Sequence, residues 1–478
     1  MHKPVQFKNL SFSLTHKTCF SDFDGQILYG SRIAIIGSNG CGKSTLLKIL
    51  LGRIQPTDGD IHLPKDLIVG YLPQVIESFD DLSGGQRLNS ALTQALALNP
   101  SILMLDEPTN HLDRHNRQSL IRMLQAFTGT LIMVTHDVEL LQATVDRIWH
   151  IEDGQIHVFS GCYDDYMREL GHQRVTIEKE LADLNRQKQQ AHKNLMKEQI
   201  RAKSSRVRGE KNTQQRKWPT IVSESKARNA QETSGRKKSA INNKKQELTE
   251  RLSSLHRPEI IQPKFSLQGV ASNQTLVTIH DGCVGYVGNP MILQDISLSI
   301  KACDRIAIQG NNGSGKSTLI KAILGDKLVI TLGDWITPNS QDIGYLDQHY
   351  GTLSPDKTVM ETISCLLPEQ PYAEIRRHLN DFLFRKNEEI EARVSTLSGG
   401  EKARLSLAQI AAFTPKLVIL DEMTNNLDLA TRDHVIQVLK GYPGAMMVIS
   451  HDLDFVTAIG VTDSYNLSNG TLRFAQSE

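Results

Sequence analysis

Two nine-residue segments of the chain share a glycine-rich pattern that ends in Gly-Lys-Ser-Thr. In such a loop, glycines let backbone N–H groups turn inward onto phosphate oxygens, and the lysine can reach the β- and γ-phosphates of a nucleotide. The serine hydroxyl after the lysine can ligate Mg²⁺. Each segment therefore predicts a binding site for a nucleoside triphosphate with Mg²⁺. The residues are Gly37, Ser38, Asn39, Gly40, Cys41, Gly42, Lys43, Ser44 and Thr45 in the first segment, and Gly310, Asn311, Asn312, Gly313, Ser314, Gly315, Lys316, Ser317 and Thr318 in the second.

Two Asp-Glu pairs and two histidines could complete the chemistry at these loops. Each aspartate ends an apolar run, where a carboxylate can hold Mg²⁺ through water, and the glutamate after it could polarise an attacking water. Each histidine closes another apolar run and could contact the γ-phosphate. The acids could instead simply solvate the ends of strands, and the histidines could be ordinary surface residues. A phosphate loop upstream in each half favours the catalytic interpretation. The residues are Asp106, Glu107 and His136 in the first half, and Asp421, Glu422 and His451 in the second.

The residues around these motifs predict the elements that must position them. Apolar runs at 32–36 and 305–309 precede the two loops, and helical patterns at 46–51 and 319–324 follow them. A strand, a phosphate loop and a helix in succession are the context that the motif requires. The runs that carry the acids and histidines read as buried parallel strands. We therefore expect an α/β fold in each half.

The motifs recur because the chain contains two copies of one unit. The offset between equivalent residues is 273 for Lys43 and Lys316, and 315 for both the acids and the histidines. The extra residues of the second copy fall at 349–396, where the first copy has only 75–81. Part of that insertion, from about 372 to 393, is predicted to be helical. The first copy is therefore expected to lack most of a helical subdomain.

Composition limits the class of protein. The chain has 478 residues, is 39% hydrophobic and 22% charged, and has a net charge of +1, which is ordinary for folded domains. No run approaches the roughly 18 uncharged apolar residues of a membrane-spanning helix, and the N-terminus lacks a signal-peptide pattern. Six scattered cysteines without a Cys-x-x-Cys pair argue against a zinc or iron–sulfur centre and against a disulfide framework. We therefore expect a cytoplasmic protein.

A basic insert separates the two copies. Residues 167–264 contain 24 Lys and Arg against 11 Asp and Glu, whereas the remainder of the chain is acidic. Such a concentration of positive charge suits a phosphate-rich partner, although a charged helix can also be a solvated spacer. Trp218 could stack on an exposed base or pack within the insert. We favour nucleic acid as the partner of this segment.

Apolar residues at helical spacing predict two helices in the insert. The first set is Leu170, Ile177, Leu181, Leu184, Ala191 and Leu195, within a helix from about 166 to 200, and the second is Ile241, Leu248, Leu252 and Leu255. Narrow matching stripes on two helices favour an antiparallel coiled-coil hairpin. Pro219 disfavours helix at Trp218, so the tip is predicted there.

Between each phosphate loop and its Asp-Glu pair lies a Leu-Ser-Gly-Gly segment, at 82–85 and 397–400. This arrangement resembles that of ATP-binding cassette ATPases, in which the signature of one cassette caps ATP held by the other. The resemblance implies that Ser398, Gly399, Gly400 and Glu401 share a site with the first phosphate loop, and that Ser83, Gly84, Gly85 and Gln86 share a site with the second. It also implies that Gln74 and Gln348 are catalytic residues and Mg²⁺ ligands. In the first cassette the further Mg²⁺ ligands would be Ser44 and Asp106. In the second they would be Ser317 and Asp421.

Within that family, the chain resembles the ABC-F subfamily of ribosome-associated translation factors and antibiotic-resistance proteins. The resemblance covers two cassettes, a long charged linker and the motif Asp-Glu-Pro-Thr-Asn-His-Leu-Asp at 106–113. It implies an α/β fold of two tandem P-loop ATP-binding cassettes, at 1–164 and 265–478, joined by an α-helical coiled-coil hairpin at 165–264. It further implies a monomeric chain with an intramolecular cassette dimer, Mg-dependent ATPase activity and no membrane partner. The partner would be the ribosome, with the linker inserted near the tRNA sites and peptidyl-transferase centre, in contact with ribosomal RNA and tRNA.

The two copies differ in ways that predict unequal sites. The second copy has Met423 and Asn426 where the first has Pro108 and His111. By the same resemblance, adenine would stack on Tyr286 in the second cassette, whereas the first has Leu14 at that place. Two other functions share the motifs: the tandem ATPase subunit of a membrane importer, and a coiled-coil ATPase of DNA maintenance. The importer would need the helical subdomain in both copies, and the DNA-maintenance ATPase splits a single cassette across its coiled coil.

Overall fold

The computed structural model describes residues 2–14, 17–64, 67–74, 84–110, 112–214, 239–241, 243, 246–247, 274–347, 350–423 and 427–475. The chain divides into two compact units, one formed by residues 1–164 with 260–478 and the other by residues 165–259. In the part of the chain described, no helix is long and apolar enough to cross a membrane.

The first cassette consists of two sheets and the helices that cover them. Its strands are β1 (Val5–Leu14), β2 (Lys17–Ile27), β3 (Arg32–Gly37), β4 (Asp58–His62), β5 (Val69–Leu72), β6 (Ile102–Asp106), β7 (Thr130–Val134), β8 (Arg147–Glu152) and β9 (Gln155–Ser160). Its helices are α1 (Lys43–Leu50), α2 (Gly84–Ala97), α3 (Arg114–Ala126) and α4 (Val138–Thr144). A three-stranded antiparallel sheet has the order β2-β1-β4, and a six-stranded sheet has the order β5-β6-β7-β3-β8-β9.

The six-stranded sheet carries the motifs at the carboxyl ends of its strands. Strands β5, β6, β7, β3 and β8 are parallel, and β9 is antiparallel to β8. Every residue of β6 and β7 is buried, as expected for apolar strands covered on both faces. The phosphate loop follows β3, His136 follows the neighbouring strand β7, and Asp106 ends β6 on the other side of β7. Parallel pairing therefore brings three separate motifs to one edge.

The linker begins with α5 (Tyr163–Gln214), a helix of 52 residues. It extends beyond both ends of the predicted 166–200 segment. Three residues of the predicted stripe, Leu184, Ala191 and Leu195, are buried. Of the predicted second helix, only residues 241, 243, 246 and 247 are described, and they are helical. Trp218 and the predicted tip lie outside the described residues.

The second cassette repeats the two sheets and adds helices. Its strands are β10 (Thr275–Tyr286), β11 (Met291–Lys301), β12 (Arg305–Gln309), β13 (Val329–Ile336), β14 (Ile343–Leu346), β15 (Leu417–Asp421), β16 (Ala445–Ile449), β17 (Asp463–Ser468) and β18 (Thr471–Ala475). Its helices are α6 (Lys316–Leu324), α7 (Val359–Ser364), α8 (Tyr372–Asp381), α9 (Asn387–Glu391), α10 (Gly399–Phe413), α11 (Leu429–Gly441) and α12 (Leu453–Ala458). The sheet orders, β11-β10-β13 and β14-β15-β16-β12-β17-β18, match those of the first cassette.

Helices α7, α8 and α9 occupy the insertion that distinguishes the second copy. The predicted helix over 372–393 is in fact two helices, because the chain turns at Leu383, whose φ of 69° is left-handed. Phe382 and Phe384 on either side of that turn are buried. The break therefore places two aromatic side chains in the core, which a continuous helix would not do.

An aromatic cluster fastens the two sheets of the first cassette together. Trp149 of β8 lies 5.6 Å from Phe7 of β1 and 5.2 Å from Phe23 of β2, measured between ring centroids, and both contacts are edge-to-face. The Trp149 side chain is only 2% exposed. The cluster thus joins the antiparallel sheet to the sheet that carries the phosphate loop.

We expect Trp149→Ala to lower the free energy of unfolding of the first cassette by about 3–5 kcal/mol, because it removes a buried aromatic side chain that cannot be replaced by collapse of its neighbours. Urea unfolding followed by circular dichroism measures the change. Val158→Ala on the adjacent strand β9, where the side chain is 51% exposed, should change it by less than about 0.5 kcal/mol. A loss below about 1 kcal/mol for Trp149→Ala would contradict the role of the cluster.

Candidate functional site

The glycine just before the lysine of each phosphate loop could not be replaced by another residue unless its neighbours moved. Gly42 caps α1 with a φ of 107°, and a Cβ added there would lie 2.9 Å from Cys19 Cβ. Gly315 caps α6 with a φ of 103°, and its Cβ would lie 2.6 Å from Leu293 Cδ2. Both the left-handed backbone and the close packing therefore require glycine. The loops deliver the N-termini of two helices, where anions bind favourably.

The two loop lysines are buried and fold back over their own loops. Lys43 Nζ donates hydrogen bonds to the carbonyl oxygens of Gly37 and Ser38, at 2.8 and 3.1 Å. Lys316 Nζ makes the equivalent bonds to Gly310 and Asn311, at 2.8 and 3.0 Å. Burial lowers the pKa of Lys316, and the nearby carboxylates of Glu422, Asp421 and Asp113 oppose that effect. Both ammonium groups are thus held against the backbone of their own loops.

The serine after each lysine was predicted to hold Mg²⁺ together with the aspartate of the neighbouring strand. In the first cassette, Ser44 Oγ donates to Asp106 Oδ1 at 3.0 Å. In the second, Asp421 Oδ2 instead accepts from the Tyr345 hydroxyl at 3.2 Å. Burial raises the pKa of Asp106 and of Asp421. The hydroxyl and carboxylate oxygens in the first cassette are the donors that Mg²⁺ prefers, so these residues fit the ion.

Both candidate catalytic glutamates adopt the same uncommon backbone conformation. Glu107 has a φ of 49° and Glu422 a φ of 48°, in the left-handed region that few side chains other than glycine enter. Their amides donate to Val134 and Ile449 of the adjacent strands, at 2.8 and 2.9 Å. The turn lifts each glutamate out of the strand that ends at its aspartate. Backbone strain of this kind is frequent at active sites, and here it falls on the two candidate catalytic groups.

Each glutamate lies beside the predicted histidine of its cassette. His136 Nε2 is 3.4 Å from Glu107 Oε1, and His451 Nε2 is 3.5 Å from Glu422 Oε1. Burial raises the pKa of Glu107 to about 8, although Lys43 opposes the rise. Burial, reinforced by the charge of Lys43, lowers the pKa of His136 to about 3, so its ring is neutral at pH 7. Among the described residues, neither ring nitrogen of His136 has a hydrogen-bond partner.

The two cassettes meet at the first phosphate loop. The Asn39 amide donates to Asp428 Oδ2 at 2.9 Å, and Oδ1 of the same carboxylate accepts from Thr431 at 2.8 Å and so caps α11. Burial alone would raise the pKa of Asp428, but these hydrogen bonds outweigh it and hold the pKa below its ordinary value. Asp113, the equivalent residue of the first cassette, acts electrostatically on Lys316. Each cassette therefore contributes an aspartate to the surroundings of the other's loop.

A cavity of about 270 Å³ opens beside the first glutamate. Glu107 and His136 line it from the first cassette, and Arg432, Asp452 and Asp454 line it from the second. Charged and polar groups from both cassettes thus surround one space next to the candidate catalytic residues.

The remaining predicted residues are those of the two Leu-Ser-Gly-Gly segments and the two glutamines. Ser398 caps α10, and its hydroxyl donates to Glu401 Oε2 at 2.6 Å. Gln74 lies exposed two residues after β5, and Gly84 and Gly85 open α2, which includes Gln86. Ser83 and Gln348 lie outside the described residues.

The predicted adenine positions are the ends of equivalent strands. Tyr286 ends β10, with Lys321 Nζ 5.6 Å from its ring centroid, whereas Leu14 ends β1 and is 57% exposed. The first cassette thus offers an aliphatic side chain where the second offers an aromatic ring.

The contacts between cassettes were not predicted as part of the site. Asp428 and Arg117 make them, and Arg117 donates to the carbonyl oxygen of His451 at 3.4 Å. The same offset of 315 residues that aligns the acids pairs Asp113 with Asp428 and Arg117 with Arg432. Repetition of charged residues in both copies was therefore the signal that could have found them.

The raised pKa of Glu107 predicts a pH dependence of stability in the absence of nucleotide. Between pH 8.5 and 7 the folded chain takes up a proton at Glu107, whereas the unfolded chain, with a pKa near 4.5, does not. The free energy of unfolding should therefore rise by about 1 kcal/mol as the pH falls through this range, since one pKa unit corresponds to about 1.4 kcal/mol. Urea unfolding at several pH values measures it.

Glu107→Gln is the control for this effect, because the amide cannot titrate. Its stability should be flat between pH 8.5 and 7, and at pH 8.5 it should exceed that of the unmodified chain. The range stays above pH 7 because His136 complicates the profile at lower pH. Below about pH 6.5 its ring takes up a proton in the unfolded chain but stays neutral in the folded one, and this destabilises the fold. Equal pH slopes for the two proteins would show that Glu107 is not the titrating group.

Sequence comparisons agree with this architecture. The family model described as "ABC transporter" matches residues 20–73 and 293–425, and one described as "AAA domain, putative AbiEii toxin, Type IV TA system" matches residues 73–142. The ATP-binding protein Uup of Buchnera aphidicola is 30% identical over 95% of this chain and 78% of its own length. The ribosome protection protein VmlR of Bacillus subtilis is 29% identical over 95% of this chain and 85% of its own.

A solved structure shares the fold across nearly the whole chain. The archaeal ribosome recycling factor aABCE1, in complex with the ribosomal stalk protein aP1, covers 98% of this chain and 89% of its own with a TM-score of 0.59. At 18% identity this likeness concerns the fold alone. The relatedness to Uup, the two tandem cassettes and the duplicated phosphate loops also confirm the expected ATPase activity. The chain belongs to the ABC-F subfamily of ATP-binding cassette ATPases.

Proposed function

We propose that this ATPase binds the ribosome when ATP is bound and leaves it after hydrolysis, acting in the cytoplasm. In this proposal the cassettes close on each other over ATP, and closure sets the pose of the linker, residues 165–264, near the tRNA sites and the peptidyl-transferase centre. The linker would contact ribosomal RNA and tRNA. The result would be modulation of translation or protection against ribosome-targeting antibiotics.

The charge on α5 is the observation that carries the proposal. Exposed basic side chains follow one another along its middle part, at Arg186, Lys193, Lys197, Arg201 and Lys203. Leu184, Ala191 and Leu195 of the same stretch are buried, so the apolar stripe is covered while the basic side chains face solvent. Such exposed positive charge is suited to the phosphates of structured RNA. The relatedness to VmlR, whose name is ribosome protection protein, supports the ribosome as the source of that RNA.

We assign the chemical roles by cassette. Ser44 with Asp106, and Ser317 with Asp421, would hold Mg²⁺, with Gln74 and Gln348 as further ligands. When bound, Mg²⁺ would neutralise charge on the β- and γ-phosphate oxygens. Lys43 and Lys316 would bind those phosphates, and Ser398 and Ser83 would cap them from the opposite cassette.

The two glutamates would take the proton of the attacking water. A general base works best when its pKa lies near the working pH, and the pKa of about 8 at Glu107 meets that condition. The neutral ring of His136 would donate its N–H to an oxygen of the transferred phosphate, since neither ring nitrogen has a hydrogen-bond partner among the described residues. His451 would act in the same way beside Glu422.

The proposal is tested by ribosome co-sedimentation of the double variant Glu107→Gln, Glu422→Gln at near-physiological salt. Loss of the base should slow hydrolysis by about 10²–10⁴-fold and trap the ATP-bound state. We expect the variant to pellet with ribosomes when ATP is present and to remain in the supernatant without it. A variant that stays in the supernatant under both conditions would refute the ribosome as partner.

The contribution of the linker is tested by Lys193→Gln, Lys197→Gln, Lys203→Gln in the same double variant. Each lost phosphate contact should reduce the salt dependence of binding by about 0.7–0.9 in log–log slope. The matched control, Lys8→Gln, Lys327→Gln, Lys440→Gln, removes three exposed charges from the cassettes and should leave the slope unchanged. Equal slopes for both triple variants would make the linker a spacer.

A further inference from the structure

Two arginines occupy equivalent places in the two cassettes. Arg117 lies in the first turn of α3, which Asp113 caps, and Arg432 lies in the first turn of α11, which Asp428 caps. Both line the cavity between the cassettes. Each faces the loop that carries the histidine of its own cassette, where Asp137 caps α4 and Asp452 caps α12.

The guanidinium of Arg432 donates hydrogen bonds within its own cassette. Its Nε and Nη2 donate to the two carboxylate oxygens of Asp452, both at 3.0 Å. This two-pronged geometry is the strongest arrangement that an arginine makes with a carboxylate. Asp452 follows His451 directly, so Arg432 supports the histidine loop of the second cassette from within that cassette.

Arg117 divides its contacts between the cassettes. Its Nε lies 3.1 Å from Asp137 Oδ2, with side chains 11% and 6% exposed. Its Nη1 donates to the carbonyl oxygen of His451 in the second cassette at 3.4 Å. The same guanidinium therefore touches the residue after His136 and the backbone of His451 itself.

The His451 carbonyl is a sensitive place for such a contact. His451 lies between the end of β16 and Asp452, the residue that caps α12. Its Nε2 lies 3.5 Å from Glu422 Oε1. A shift of the His451 backbone moves the imidazole relative to Glu422. Displacements of about 1 Å at such positions can lower turnover substantially.

We propose that Arg117 of the first cassette is a positioning residue for His451, and that it thereby controls turnover at the site that contains Lys316 and Glu422. The proposal deepens the proposed function, because it rests on the catalytic roles assigned to Glu422 and His451. It makes hydrolysis at the second cassette depend on a side chain of the first. Among the described residues the guanidinium of Arg432 donates to Asp452 alone, so Arg432 makes no equivalent bond to the first cassette.

Arg117→Lys tests this role with little disturbance of the fold. Lysine keeps a positive charge for Asp137, but its single nitrogen cannot also reproduce the second bond of the guanidinium fork. The variant is made in a Glu107→Gln background, where only the second site retains its base. We expect kcat for ATP to fall about three- to tenfold, as for loss of one positioning hydrogen bond. KM for ATP should stay the same, and the pH profile of kcat should shift because the ring has moved relative to Glu422.

Two comparisons separate positioning from general damage. Arg122→Lys, on the same helix and in the same background, changes an exposed arginine that does not line the cavity, and it should leave kcat unaltered. Arg117→Lys in a Glu422→Gln background, where only the first site retains its base, should lower kcat less than in the Glu107→Gln background.

The outcomes distinguish this inference from the function beneath it. Equal losses of kcat in both backgrounds, or no loss in the Glu107→Gln background, would overturn the role of Arg117. If the double variant Glu107→Gln, Glu422→Gln hydrolyses ATP at the unmodified rate, the glutamate roles themselves are wrong. If Glu107→Gln abolishes turnover and Glu422→Gln does not, the second site does not hydrolyse ATP. That result would also overturn the proposal for Arg117.

Discussion

The carboxylate of Asp428 holds the first phosphate loop and the second cassette in one arrangement. One of its oxygens caps α11 through Thr431, and the other accepts from the amide of Asn39. A buried carboxylate that lost either bond would keep its charge without its partners, which is costly. The loop therefore cannot shift without disturbing the start of α11, where Arg432 lies. Binding at the first loop and the position of the second histidine loop are thus mechanically connected.

The two sites have similar backbone conformations, but their equivalent aspartates accept hydrogen bonds from different side chains. Glu107 and Glu422 both turn out of their strands at a left-handed φ, so both cassettes keep the same backbone geometry for the candidate catalytic carboxylate. In the first site Asp106 accepts from Ser44, whereas in the second Asp421 accepts from Tyr345. The two sites therefore differ at the residues proposed to hold Mg²⁺.

The sequence was sufficient for the parts of the fold that local chemistry determines. Gly42 and Lys43 could be placed because a phosphate loop needs those residue types in that order, and the strand before it was located to within a residue. The break at Leu383 was not foreseen, because burial of Phe382 and Phe384 overrides a helical pattern that looks continuous. The bonds from Asn39 to Asp428 and from Arg117 to His451 join residues over 300 positions apart. No local pattern encodes such a distance, and only the repeat indicated which residues to consider.

The central claim is that each ATP site combines the phosphate loop of one cassette with the signature of the other. Its most direct test is Ser398→Asp, which keeps a helix-capping side chain at the start of α10. If the claim holds, the substitution adds a negative charge beside the γ-phosphate bound at the Lys43 site. Steady-state ATPase activity is measured in the two single-glutamate backgrounds, with Ser398→Thr as control. We predict loss of activity with Glu422→Gln, where only the Lys43 site turns over, and retention with Glu107→Gln. The opposite pattern would show that each cassette caps its own nucleotide and would contradict the account.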